Sequence, residues 1–254
     1  MRYRAGVNVA DPSAQPRTDR PPRHGRLDAL RGLAIVWMAV FHFAFDLAHF
    51  QLVQQNLRGD PFWTTQRSAI VSLFLLCAGL GQAIAAEQGQ GWPRFWRRWG
   101  QVAGCAVLVS VASYAMFPDS FISFGVLHGL AVMLLIARLS VGLGAWLWPL
   151  GLIAVLLPRF VADPFFDSRW TDWVGLVTQK PVTEDYVPLL PWLGVVWWGL
   201  AGGRWLLRHR PALLTGALPR FLAPLALLGR WSLSFYMLHQ PLLIGAILLG
   251  LWLR

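Results

Sequence analysis

The chain has little with which to face water. Charged residues make up 13% of its 254 positions against 56% hydrophobic ones, too little polar surface to cover a water-soluble globule. Cysteine is nearly absent. Cys77 and Cys105 both fall inside apolar runs, where a thiol behaves as a small hydrophobe, so neither a disulfide framework nor a cysteine metal site is supported. Lysine occurs once, acids number 12, and no internal repeat is apparent, which argues against an inverted-repeat transporter. The first 26 residues contain no apolar run long enough for a secretory leader.

What is present is hydrocarbon, tryptophan and arginine. Several apolar runs approach the roughly 20 residues needed to cross a bilayer, and the pattern predicts an all-α polytopic membrane protein. About seven spans are expected, near 28–50, 67–86, 98–117, 122–138, 142–158, 188–207 and 229–253. Residues 1–26, with six arginines and four prolines, read as a disordered basic cytoplasmic tail, and 27–254 as the transmembrane domain. With the tail inside, alternating spans put 16 of the 22 cations on the inner side, an N-inside arrangement; the acid-rich loop near 159–187 falls outside. The net charge of +10 is thus a topology signal, and no nucleic-acid partner is expected.

Ionisable groups at membrane depth are costly and mark function. Asp28, Arg31, His42, Asp46 and His49 recur at spacings that keep them within one face of the first span, a polar seam about 30 Å long. Arg31 precedes His42 by 11 residues, Arg138 follows His128 by 10, and Arg230 precedes His239 by 9. If each arginine marks the inner interface, the helical rise sets all three histidines roughly 14–16 Å inward, near the midplane. Gly125 and Gly129 flank His128, Ser232 and Tyr236 share a face with His239, and Pro241 is expected to kink the last helix. Three histidines can bind zinc, but short-spaced ligand pairs on one helix are missing and no metal is expected. Acid–base or nucleophilic chemistry suits them better, with Asp46, one turn beyond His42, holding that imidazole's tautomer. A proton-coupled transporter or channel using the same seam, and a noncatalytic membrane subunit, are the rival readings.

The phrase Arg26-Leu-Asp28-Ala-Leu-Arg31-Gly32 running on to His42 and Asp46 resembles the opening of the bacterial membrane proteins related to heparan-alpha-glucosaminide N-acetyltransferase. Phe124-Gly125-Val-Leu-His128 and Leu228-Gly229-Arg230-Trp-Ser232 through His239-Gln240-Pro241 are similar to that family's middle and closing histidine helices. The resemblance implies a multi-pass enzyme of the bacterial inner membrane. It would move an acetyl group from cytosolic acetyl-CoA to an amino sugar or sugar hydroxyl on the outer side. By position it implies catalytic roles for His42, Asp46, His239 and His128, and contact with the CoA for Arg31, Arg230 and Asp28. Membrane lipid and a glycan acceptor are the implied partners, with homo-oligomerisation left open.

Overall fold

The computed structural model describes residues 24–57 and 59–253 and is all-helical there. Most of the expected tail, with Arg58 and Arg254, lies outside the described residues. The long helices are α1 (Gly25–His49), α2 (Pro61–Glu87), α3 (Trp92–Met116), α4 (Val126–Leu139), α5 (Leu147–Leu156) and α6 (Leu189–His209). The short α7 (Ala212–Thr215) and α8 (Ala223–Arg230) then lead into α9 (Ser232–Trp252). Gly25 and Arg26, assigned above to the tail, open α1. There the Arg26 guanidinium donates to the carbonyls of Ala212 and Ala217 and so ties the helix start to the α7–α8 connection.

Five segments are long and apolar enough to cross a membrane: Gly25–His49, Pro61–Glu87, Trp92–Met116, Val126–Arg159 and Ser232–Trp252. The chain is a polytopic membrane protein by this criterion. The expected fourth and fifth spans both fall in Val126–Arg159, which turns at a 3₁₀ stretch, Ser140–Trp146, where Gly144 takes a φ of 56° that side chains with a Cβ rarely adopt. Val126 touches the long loop through Asp185, whereas Val141 accepts from Arg204 near the end of α6, so the segment runs the length of the bundle and doubles back. The expected break between those spans, at 139–141, falls at the start of that turn. The expected sixth span corresponds to α6, which has the length, but its tryptophans, glycines and Arg204 keep it less apolar than the five.

Local chemistry sets the helix starts. The Asp60 carboxylate caps α2 by accepting from the Phe62 amide at 2.7 Å, and Pro61 occupies the first turn, where no amide hydrogen is missed. At α4 the cap comes from far away in the chain: Asp185 accepts from the Val126 amide at 2.7 Å. The core joins α2, α4, α5 and α6 around Leu75, Leu127, Met133, Leu147, Val196 and Leu200. α1 leans on α8 rather than on that core, and glycine allows it: a Cβ on Gly32 would run into the Leu225 carbonyl, and one on Gly229 into the Asp28 carbonyl.

Arginine gathers at one end of the bundle. Arg204 pairs with Glu87 at 3.2 Å, Arg138 donates to the Gln90 carbonyl and covers the Trp92 ring, and Arg98 feels the charges of Arg94, Arg31 and Asp28. At the other end the 160–188 connection is folded, not slack. Asp167 accepts from the Thr178 hydroxyl and amide, which hold its carboxyl below the usual range. Burial pushes the Asp185 carboxyl up, and the amide bond from Val126 only partly opposes it.

Candidate active site

The first and last spans meet through histidine. His42 lies 11 residues beyond Arg31 on α1, and His239 lies on α9 beyond the break at Trp231 that follows Arg230; their ring centroids are 5.0 Å apart with planes at 89°. Aromatic rings frame the pair. Phe235 stacks parallel to His239, Tyr236 tilts against it at 5.6 Å, and Phe41 packs edge-on between His42 and Trp63. Two of the three expected histidines thus meet.

Hydrogen bonding fixes the protonation of His239. Its Nδ1 lies 2.6 Å from the Tyr236 carbonyl, which can only accept, so the proton of the neutral ring sits on Nδ1 and the lone pair on Nε2. That nitrogen is buried and has no hydrogen-bond partner among the described residues. A buried polar atom without a partner costs free energy, so Nε2 is open to a bound water or substrate.

The carboxylate is arranged differently from the expectation that Asp46 would hold the His42 tautomer. Asp46 is 4% exposed, and its Oδ1 accepts from the Gln240 side-chain amide at 2.8 Å, a contact from α9 back to α1. Gln240 also lies within polar reach of His42 without forming a well-aligned hydrogen bond. The shared neighbour of acid and imidazole is therefore an amide. Asp46 Oδ2, like His239 Nε2, has no hydrogen-bond partner among the described residues. Gln240 was legible only as the residue after His239; nothing in a lone glutamine announces that it faces back across two helices.

His128 stands apart from this pair, with both ring nitrogens used. Ser110 Oγ donates to the Ile122 carbonyl at 2.6 Å, which leaves it as acceptor for the Nε2 hydrogen of His128 at 3.0 Å. Its Nδ1 accepts from the Gly125 amide at 3.3 Å. It is the opposite tautomer from His239, saturated, in the first turn of α4. Arg31 is paired with Asp28 at 3.2 Å, and a Cβ on Gly81 of α2 would strike its guanidinium. Arg230 lies elsewhere, at the head of a groove between α3 and α9.

The fold is a helical bundle of candidate membrane spans that brings two imidazoles and a carboxylate together between its first and last helices. Residues 23–241 match the family described as heparan-alpha-glucosaminide N-acetyltransferase, catalytic, and the chain belongs to that family of membrane-bound acetyltransferases. No curated protein and no solved structure matches the chain.

Proposed function

We propose that the protein carries an acetyl group from cytosolic acetyl-CoA to the amine or hydroxyl of a sugar presented on the far side of a bacterial inner membrane. The observation that carries this reading is the bare, buried Nε2 of His239 beside His42, in a chain of acetyltransferase family. Nε2 removes the proton of the acceptor amine or hydroxyl as its lone pair attacks the thioester carbonyl carbon. An imidazole hydrogen of His42 stabilises the oxyanion so formed. When the carbon–sulfur bond breaks, the His239 imidazolium returns its proton to the departing thiolate, and acetylated sugar and free CoA leave. Gln240 and Asp46 hold α9 in register with α1.

The arginine-rich end suits the donor, since guanidinium forks match phosphate geometry. Arg31, steadied by Asp28 and near Arg98 and Arg94, is the group we assign to the CoA phosphates. With that end in the cytoplasm the loop 160–188 faces the acceptor. Purified protein given labelled acetyl-CoA with amino sugars, sugar alcohols or neither tests the reading: labelled acceptor and stoichiometric CoA appear only with acceptor present. Failure of every sugar to take label, with solute flux in proteoliposomes instead, contradicts it.

His128 takes a structural part in this scheme, as the cap that joins α4 to α3. Ser110→Ala removes its acceptor and is expected to cost about 1 kcal/mol of stability while turnover of the folded protein stays within severalfold of wild type. Melting curves and specific activity measured together check this. An unchanged melting point with activity lost would put His128 back in the chemistry.

A second variant isolates the amide. Gln240→Leu keeps the volume but leaves Asp46 Oδ1 buried and unpartnered, a penalty of roughly 1–3 kcal/mol that shifts the α1–α9 contact. A lower melting point and reduced turnover are expected, with Gln240→Glu recovering part of the activity only at low pH, where a protonated side chain can donate to the carboxylate. Equal rescue at all pH values contradicts a donating role.

A further inference from the structure

Between α3 and α9, away from the histidines, runs an open groove of about 690 Å³. Gly100, Gly104, Cys105 and Leu108 form one wall, and Trp231, Leu233, Met237 and Leu238 the other. A Cβ on Gly100 or Gly104 would touch nothing, so these glycines do not bring two described helices together; they keep the trough wide. Leu108 and Leu238 are exposed at its far end, and Arg230 and Gln101 sit at its head.

The trough does not serve the histidine site. Five residues from Ser234, which lines it, to His239 turn the helix by roughly 140°, which puts the imidazole on the other side of α9. It is also one-sided in charge. Arg230 has no carboxylate partner among the described residues, and Arg94, Arg97 and Arg98 precede Gly100 on α3 at the same end. From Gly100 to Leu108 the helix rises about 12 Å, so the trough carries cations at one end and, beyond Gln101 and Ser234, an apolar wall.

We propose that this groove is a binding site for an anionic phospholipid, its phosphate on Arg230 and one acyl chain laid along Gly100 and Gly104 between α3 and α9. Cationic recesses between spans recognise lipid headgroups of this kind. A second copy of the chain fits less well, because a symmetric contact through this face would bring like arginines together. The proposal does not rest on the acetyl-transfer reading, although Arg94 and Arg98 lie near both Arg31 and the head of the groove.

The test is lipid binding, not turnover. Protein in detergent is titrated with spin-labelled phosphatidylglycerol and, separately, phosphatidylcholine, and the motionally restricted fraction is read. Wild type should hold phosphatidylglycerol in preference. Gly104→Leu, whose side chain enters the groove, should lose the restricted fraction of both lipids. Arg230→Gln should lose about fivefold in phosphatidylglycerol affinity and with it the preference over phosphatidylcholine, and it keeps the proposal testable should the leucine variant not fold. Equal binding of the two lipids by wild type, or unchanged binding in both variants, overturns the proposal. So does displacement of the lipid by coenzyme A, which would make the groove part of the donor site, or efficient oxidative cross-linking of two chains through Cys105, which would seat a second copy there.

Discussion

His239→Gln should yield a folded, membrane-inserted protein whose turnover is about 10²–10⁴-fold below wild type, the usual contribution of general acid–base catalysis. Glutamine fills much of the imidazole's volume and can still donate to the Tyr236 carbonyl, so the local helix is kept, but it offers no basic nitrogen where Nε2 stands. His42→Ala should also be severely impaired, to a few per cent of wild type or less, because the oxyanion loses its neighbour. The two effects should not add, since both residues serve one transition state. Rates from initial CoA release, on protein whose melting point matches wild type, provide the check. Full activity in His239→Gln moves the base to another residue.

The second large effect lies away from the chemistry. Gly229→Ala adds a Cβ that would sit on the Asp28 carbonyl of α1 and beside the Gly32 amide, and backbone cannot step aside as a side chain can. Overpacking of this kind costs about 1–3 kcal/mol, at times more. Here the strain acts on the contact that fixes α1, which bears His42, against α8, which leads into α9 and His239. Thermal unfolding in detergent should show a marked loss of stability, and the surviving folded fraction should turn over more slowly. Gly245→Ala on α9, the last span, is the control, because a Cβ there meets nothing. Removing a helical glycine should leave its stability equal or slightly higher. If Gly229→Ala behaves like Gly245→Ala, the close approach of α1 and α8 is not what sets the histidines.

Much of this arrangement could be read from residues alone, and what could not has physical causes. Helical rise is regular, so counting from Arg31 and Arg230 placed His42 and His239 at matching depth, and their rings meet. The same count for His128 describes its position along α4 but says nothing of which way the ring turns, and Ser110 claims it. Spacing of four residues put Asp46 on the His42 side of α1, but a hydrogen bond depends on what the opposing helix offers, and Gln240 offers an amide. Arginine clustering was legible because topology is written in loop charge. That Arg230 lines the α3–α9 groove was not, because which way a cation faces depends on how helices are rotated, which hydropathy does not encode. The fold-back was legible as the gap at 139–141 between the fourth and fifth spans, and only its exact seat was not, because a glycine-containing apolar stretch reads as hydrophobic whether it lies in a span or in the turn at Gly144.

Imidazole nitrogen-15 spectra of selectively labelled protein address the chemistry at its root. The expected result is a neutral His239 bearing its proton on Nδ1, with an Nε2 resonance that moves when acetyl-CoA or a sugar acceptor is added, beside a His128 with its proton on Nε2 that does not respond. A His239 protonated on Nε2, or one indifferent to both substrates while His128 shifts, would contradict the assignment of the base.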